Sequence, residues 1–210
     1  MTTTRLLSYA ACFALVVSFC CAPASGQAKK RGALRITDLD LQHKDSPEFQ
    51  AMSNPRATRE YRWYQITVEY EARGGDRGWL DEVELEWSVI LSPKSSSKPF
   101  LLKRTVTYVD VETAKGATHH AVVYLRPAFI RRYYGTDRIN KNDIGIYVRT
   151  KVNGESSDTY REAKSKDLRG TWWEAREPRV HIRENELMTR DETPFAPLDY
   201  DFYEHLKPRR

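Results

Sequence analysis

The sequence predicts an all-β protein built as an antiparallel β-sandwich. Apolar and polar residues alternate with a period of two over most of the chain, which is typical of strands with one buried face. Turn-forming residues interrupt this alternation about every 10 to 15 residues, and no helical pattern alternates with the strands. The composition, 40% hydrophobic and 30% charged over 210 residues, indicates one folded domain with a tail rather than a disordered chain.

Residues 1–28 have the pattern of a signal peptide. Arg5 supplies a positive charge, an apolar run extends from Leu6 to Phe19, and the small residues Gly26 and Ala28 precede the expected cleavage point. The run is too short to cross a bilayer as a helix, which takes about 20 residues. We therefore expect export to the periplasm, the cell surface or the extracellular space, with no transmembrane span in the mature chain.

All three cysteines, Cys12, Cys20 and Cys21, lie within this signal peptide. The mature chain would then have no disulfide, no thiol nucleophile and no thiolate metal site. A lipid anchor on Cys20 or Cys21 stays open as an alternative, although Phe19 stands before Cys20, where a lipoprotein signal has a small residue.

Six segments carry the period-two pattern. In the clearest, residues 79–91, Trp87 and other apolar residues share one face, and three glutamates share the other. A slip in the first segment, near Thr37 and Asp38, indicates a β-bulge. The remaining segments are residues 34–41, 61–72, 100–111, 117–126 and 143–152.

The connections between these segments have turn chemistry. Asn153-Gly154 is the strongest hairpin signal in the chain. Pro127 at a first helical position and Gly135 at the end predict one short helical crossover. We predict a sandwich of immunoglobulin-like character without a disulfide, in which Trp63 or Trp87 fills the central core position.

The alternation stops near residue 184, so the mature chain divides into a β-sandwich domain, residues 29–184, and a C-terminal tail, residues 185–210. Disordered tails are poor in aromatic residues, whereas four aromatic residues lie within nine positions of this one. We predict that the tail packs on its own sandwich or on a partner. The candidate partner-binding residues are Phe195, Tyr200, Phe202 and Tyr203.

No catalytic or cofactor-binding motif emerges, and we expect a protein that is not an enzyme and has no cofactor. Three glutamates, Glu82, Glu84 and Glu86, share one strand face, as paired catalytic carboxylates could. Such rows are ordinary on a solvated face, however, and we expect Lys103 or another cross-strand cation to pair with them.

The histidine pair and the charge pattern argue against two further classes of site. His119 and His120 are adjacent on a strand and point to opposite faces, so they cannot chelate one ion unless a bulge intervenes, and we expect no metal site. The net charge is +5, but acidic residues interleave with the basic ones, which argues against nucleic-acid binding.

Trp172 and Trp173 suggest an alternative function. On a strand, one indole would point inward and the other outward, where it would stack on a sugar ring. This alternative is a secreted carbohydrate-binding module with glycan-stacking Trp172 and Trp173. Otherwise, the pair covers a sheet edge beneath the tail.

Three stretches, Trp79-Leu80-Asp81-Glu82-Val83, Trp87 and Thr193-Pro194-Phe195-Ala196-Pro197-Leu198, resemble a verrucomicrobial family of secreted pilus-like proteins. That family is associated with type IV pilus gene clusters and has an immunoglobulin-like fold. The resemblance implies an exported, non-enzymatic protein that acts through protein–protein contacts in the envelope, pilus-associated or adhesive. Its partners would be envelope or pilus proteins, or another copy of the chain. Pilin subunits keep a long N-terminal apolar helix, which is absent here, so we expect an accessory or surface-displayed role.

Overall fold

Two packed β-sheets form within residues 33–47, 61–114, 117–163 and 170–208, the residues that the computed structural model describes. The strands in these residues are β1 (Leu34–Asp45), β2 (Arg62–Ala72), β3 (Trp79–Leu91), β4 (Phe100–Glu112), β5 (Thr118–Leu125), β6 (Ile144–Val152), β7 (Glu155–Ala163), β8 (His181–Arg183) and β9 (Leu187–Thr189). The four-stranded sheet has the order β1-β2-β5-β9, and the five-stranded sheet has the order β7-β6-β3-β4-β8. Only β4 and β8 pair in parallel. The prediction of an all-β sandwich is confirmed.

The core lies between the sheets and is built from the alternate residues that the sequence pattern places inward. Leu85 and Trp87 of β3 share one continuous buried cluster with Ile66 and Val68 of β2. Burial of an aliphatic side chain of this size stabilises a fold by about 1.5–3 kcal/mol. Trp87 is the tryptophan of this core, whereas Trp63 lies in a separate cluster on the outer face of the four-stranded sheet. The described residues contain no cysteine, because Cys12, Cys20 and Cys21 lie outside them with the rest of the predicted signal peptide.

The predicted bulge and hairpin are both present. The register of β1 against β2 shifts between Ile36 and Asp38. β6 and β7 pair as an antiparallel hairpin around Asn153 and Gly154, which have φ angles of 50° and 82°. These two positive φ angles match a two-residue turn of the type that favours Asn-Gly.

The predicted helical crossover is α1 (Pro127–Tyr134), which connects β5 towards β6. Pro127 begins the helix, and Gly135 ends it with a left-handed φ of 67° and a hydrogen bond from its N–H to the carbonyl of Arg131. In the described part of the chain, no helix has the length and apolar character that crossing a membrane requires.

The sequence pattern missed β7, β8 and β9. β7 reads Glu-Ser-Ser-Asp-Thr-Tyr-Arg-Glu-Ala and shows no apolar alternation, because it is an edge strand. β9 lies within residues 185–210 yet pairs with β5, so this part of the predicted tail belongs to the sheet. Trp172 and Trp173 lie in a single 3-10 turn, not on a strand, and both indoles pack on the same surface.

The edge of β1 is capped by side chains from the opposite sheet. The backbone N–H of Leu34 donates to Oγ of Ser157 at 2.7 Å, and the N–H of Ile36 donates to Oδ2 of Asp158 at 2.9 Å. Both acceptors come from β7, the edge strand of the five-stranded sheet. Polar residues on β7 therefore satisfy two backbone N–H groups on a strand edge, and unpaired groups of this kind are a template for pairing with another chain.

Candidate functional site on the four-stranded sheet

The tail leaves β9 through a capping box that ties it to the sandwich. Glu192 accepts a hydrogen bond from the backbone N–H of Thr189 at 2.9 Å, which caps the 3-10 turn Arg190–Glu192. Both carboxylate oxygens of Glu192 also lie 2.9 Å from the same guanidinium nitrogen of Arg104, on β4. One carboxylate thus fixes the direction of the tail and links it to the other sheet.

The tail then covers an apolar patch on the outer face of the four-stranded sheet. Phe195 stacks on Tyr124, with ring centroids 4.9 Å apart and planes 9° from parallel, and meets Trp63 edge-on at 6.0 Å. Phe195 is 5% exposed and Tyr203 is 8% exposed. Burial raises the pKa of Tyr124 and of Tyr203 above their ordinary values. These two candidate partner-binding residues, Phe195 and Tyr203, therefore pack on the chain's own sheet.

The end of the described chain pairs with the free edge of β4. Leu206 forms an antiparallel bridge with Tyr108, and the backbone N–H of Lys207 donates to the carbonyl of Thr107 at 2.8 Å. Just before this bridge, Glu204 lies 2.6 Å from Nδ1 of the buried His119. The described tail thus contacts both sheets of its own chain.

Phe202 differs from Phe195 and Tyr203 because it is 52% exposed. Its ring stacks on the imidazole of His120 with centroids 4.0 Å apart. The side chain of Tyr200 lies outside what the structure describes, although its backbone begins the 3-10 turn Tyr200–Phe202. Of the four candidate partner-binding residues, two are buried and Phe202 presents its ring to solvent.

A groove of about 690 Å³ runs between β1 and the tail, with Phe202 in its lining. We call it the acidic groove. Two basic side chains, Lys44 and His120, line it. Its lining also contains five carboxylates, those of Asp38, Asp40, Glu69, Asp199 and Asp201. Burial lowers the pKa of His120 below its ordinary value, against the opposing effect of the Glu69 carboxylate 3.8 Å away. The surface is therefore strongly negative near neutral pH.

Gln65 lines the same groove although it is only 5% exposed. Its Nε2 donates to Oγ1 of Thr67 at 2.8 Å, whereas its Oε1 has no hydrogen-bond partner in the described residues. A buried amide oxygen without a donor costs about 1–3 kcal/mol. The Gln65 amide therefore lies beneath the groove surface, beside the buried Tyr203, and is closed off from solvent.

The row of glutamates on β3 is solvated and neutralised, but not by Lys103. Nζ of Lys151 lies 3.0 Å from Glu84 and also contacts Glu86. Lys207 pairs with Glu82. These cations come from β6 and from the tail, whose positions the sequence pattern did not relate to β3.

His119 and His120 occupy opposite faces of β5, as the alternation of a strand requires. His119 packs against Tyr70 in the interior, and His120 lies on the outer face beneath Phe202. In the described ranges, no three histidine, cysteine, aspartate or glutamate residues lie close enough together to hold a metal ion.

Trp172 and Trp173 pack on the outer face of the five-stranded sheet, and the tail crosses the other sheet. Trp172 is buried, and Trp173 stacks on Tyr147 with planes 2° from parallel and centroids 4.2 Å apart. The guanidinium of Arg161 lies 5.1 Å from the Trp173 ring centre. One stacking face of Trp173 is thus occupied by the chain itself.

Sequence reasoning did not find the acidic groove. Asp38 and Asp40 alternate with Leu39 and Leu41 on β1, and this spacing places both carboxylates on the outer face. Asp199 and Asp201 show the same spacing in the tail. The sequence carries the two acidic pairs, but only the path of the tail brings them together.

Phe195→Ala should destabilise the protein by about 3–5 kcal/mol, because it removes a buried aromatic ring between Trp63 and Tyr124. Phe202→Ala removes a half-exposed ring from the same tail and should cost less than about 1 kcal/mol. Urea unfolding of both variants measures the difference. Equal losses would show that the tail is not held by the buried anchor.

Acidification should destabilise the protein in part through His120. Its folded pKa lies below its unfolded value of about 6.5, so the stabilisation present above about pH 6.5 is lost as the pH falls. We expect His120→Gln to flatten the decline in unfolding free energy between about pH 7 and pH 5. Leu198→Ala, which removes another exposed apolar side chain of the tail, should keep the slope of the native protein. The same slope in His120→Gln and the native protein would contradict this assignment.

Comparisons with known proteins place the chain by fold and by family. A crystal structure of a protein from Akkermansia muciniphila, a verrucomicrobial organism, is similar to it, with a TM-score of 0.73 and 23% sequence identity. The match covers 84% of this chain and 94% of that chain, and at this identity it supports the shared fold alone. The comparison with curated proteins finds no match. A protein-family model matches residues 25–210, and the chain belongs to the family that this model describes.

Proposed function

We propose that this protein is a non-enzymatic, exported envelope protein that acts through protein–protein contacts, in a pilus-associated or adhesive role. Phe202 is the observation that carries the proposal. It is a large aromatic side chain, 52% exposed, and it directly precedes the buried Tyr203 in the tail. Aromatic residues supply much of the binding energy at protein interfaces, and the resemblance to secreted pilus-like proteins supports the envelope as the location.

The residues around Phe202 are held by contacts within the chain. Tyr203, its neighbour, is buried, and Glu204 is held by His119. The ring of Phe202 rests on His120, so its orientation is set by the sheet beneath it. A preformed surface binds with a smaller loss of conformational entropy than a flexible tail would.

The chemistry of this surface supports binding rather than catalysis. Asp38, Asp40, Asp199 and Asp201 are exposed in an open groove. A general acid or base is commonly tuned by burial and by a close partner, and exposed carboxylates lack that environment. An extended, charged groove beside an aromatic ring is suited to recognising a protein surface.

The carbohydrate-binding alternative receives less support from the packing. Trp172 is buried, and Trp173 is stacked on Tyr147. A sugar ring needs an open aromatic face, and Trp173 already has one face covered. The outer face of the four-stranded sheet is therefore the better candidate for contact with another molecule.

A photo-crosslinking phenylalanine analogue at position 202 should join the protein to a specific envelope protein in intact cells. The same analogue at position 79 is the matched control, because Trp79 is also exposed, at 48%, but lies at the start of β3. Mass spectrometry of the adducts identifies the partner, and pilus components among them would support a pilus-associated role.

Phe202→Ala should lower co-purification of that partner by about 5- to 30-fold, as expected for loss of about 1–2 kcal/mol. Trp79→Ala should leave co-purification unchanged. The proposal fails if positions 202 and 79 yield the same adducts, or if neither yields any.

A further inference from the structure

We infer that the acidic groove binds an extended, lysine- and arginine-bearing segment of a partner protein. This inference rests on the proposed function and adds the chemistry of the partner. It starts from the groove lining, in which five carboxylates face Lys44 and His120. The burial that lowers the pKa of His120 keeps that ring neutral near pH 7, so the lining retains a large negative excess.

The carboxylates are available to a ligand. In the described part of the chain, Asp38, Asp199 and Asp201 form no ion pair with a lysine or arginine of the protein. Asp40 accepts a hydrogen bond from the side chain of Gln42, and Glu69 accepts one from Thr37 at 3.1 Å. These neutral donors leave the negative charge uncompensated.

The distribution of charge favours a ligand with several cations over a single metal ion. Asp38 and Asp40 stand on β1, Glu69 stands on β2, and two more aspartates stand on the tail. No three of the described metal-ligating residues gather at one point. From residue 38 to residue 44, β1 extends over about 20 Å at roughly 3.3 Å per residue, which is the length of about six extended residues.

Phe202 gives the groove an apolar surface that suits the side-chain stems of lysine and arginine. Lysine and arginine place long apolar stems against apolar surface and keep their charged ends in polar surroundings. The exposed ring of Phe202 lies in the same lining as Asp199 and Asp201. A basic segment would therefore find an apolar contact for its stems and carboxylates for its charges side by side.

The test uses the full chain and a fluorescent peptide with lysine at every second position between glycine and serine. Fluorescence anisotropy should show binding that weakens when sodium chloride is raised from about 50 to about 300 mM. A peptide with glutamate in place of lysine should not bind. The variant with Asp38→Asn, Asp40→Asn, Asp199→Asn and Asp201→Asn should weaken binding at least about tenfold. Asn tolerates the left-handed conformation of residue 199, which has a φ of 49°.

A matched control loses the same number of negative charges at exposed positions outside the groove lining. It carries Asp76→Asn, Asp81→Asn, Glu112→Gln and Glu155→Gln. We expect it to bind the lysine peptide within about twofold of the native protein, because exposed charges beyond about 8–10 Å are screened. Urea unfolding of both variants verifies that they remain folded.

Four results would overturn the inference. The first is no binding of the lysine peptide, and the second is equal weakening of that binding by the groove variant and the control. The third is self-association in sedimentation velocity that the groove variant loses, which would assign the groove to a second copy. The fourth is peptide binding that appears only after Arg56→Ser and Arg59→Ser, which would assign the groove to the chain's own 48–60 segment. The crosslinks at position 202 test the proposed function separately, and specific crosslinks without peptide binding would remove this inference alone.

Discussion

The packing of Phe195 against Tyr124 and Trp63 is the contact on which the rest of this surface depends. Outer faces of antiparallel sandwiches are usually polar, but here the outer face of the four-stranded sheet carries Trp63, Val122 and Tyr124 as one apolar cluster. Water would face this cluster if the tail left. Phe195 and Tyr203 cover this cluster. The tail therefore forms a third layer over part of one face of the two-sheet sandwich.

That third layer is tied to both sheets by contacts of different kinds. Glu192 bonds to Arg104 on β4, and Glu204 bonds to His119 on β5. Beyond them, Leu206 bridges to Tyr108 at the edge of β4. An unpaired strand edge invites association with other chains, so the last described residues both hold the sandwich together and protect an edge. The tail is therefore part of the folding unit, and two of its candidate partner-binding residues, Phe195 and Tyr203, pack on the chain's own sheet.

The sandwich was predictable because its central strands have one face in the core and one in water. That environment imposes the period-two alternation seen in β2 and β3. β7 escaped prediction because, as an edge strand, it uses Ser157 and Asp158 to cap β1 rather than to fill a core. The packing of the tail was predictable from its aromatic content. The surface that the tail packs on was not predictable, since no local sequence pattern relates Phe195 to Tyr124.

The acidic groove has a sign opposite to that of the whole chain, which carries a net charge of +5. Long-range attraction therefore does not bring a basic partner to this protein. At physiological ionic strength the screening length is about 8 Å, so a segment lying in the groove interacts mainly with the five carboxylates around it. The positive net charge opposes nonspecific association with basic proteins. The groove attracts only a basic segment that fits between β1 and the tail. Specificity for a partner then comes from local attraction in the groove combined with repulsion by the rest of the chain. This specificity is lost if Phe195 no longer holds Asp199 and Asp201 in place.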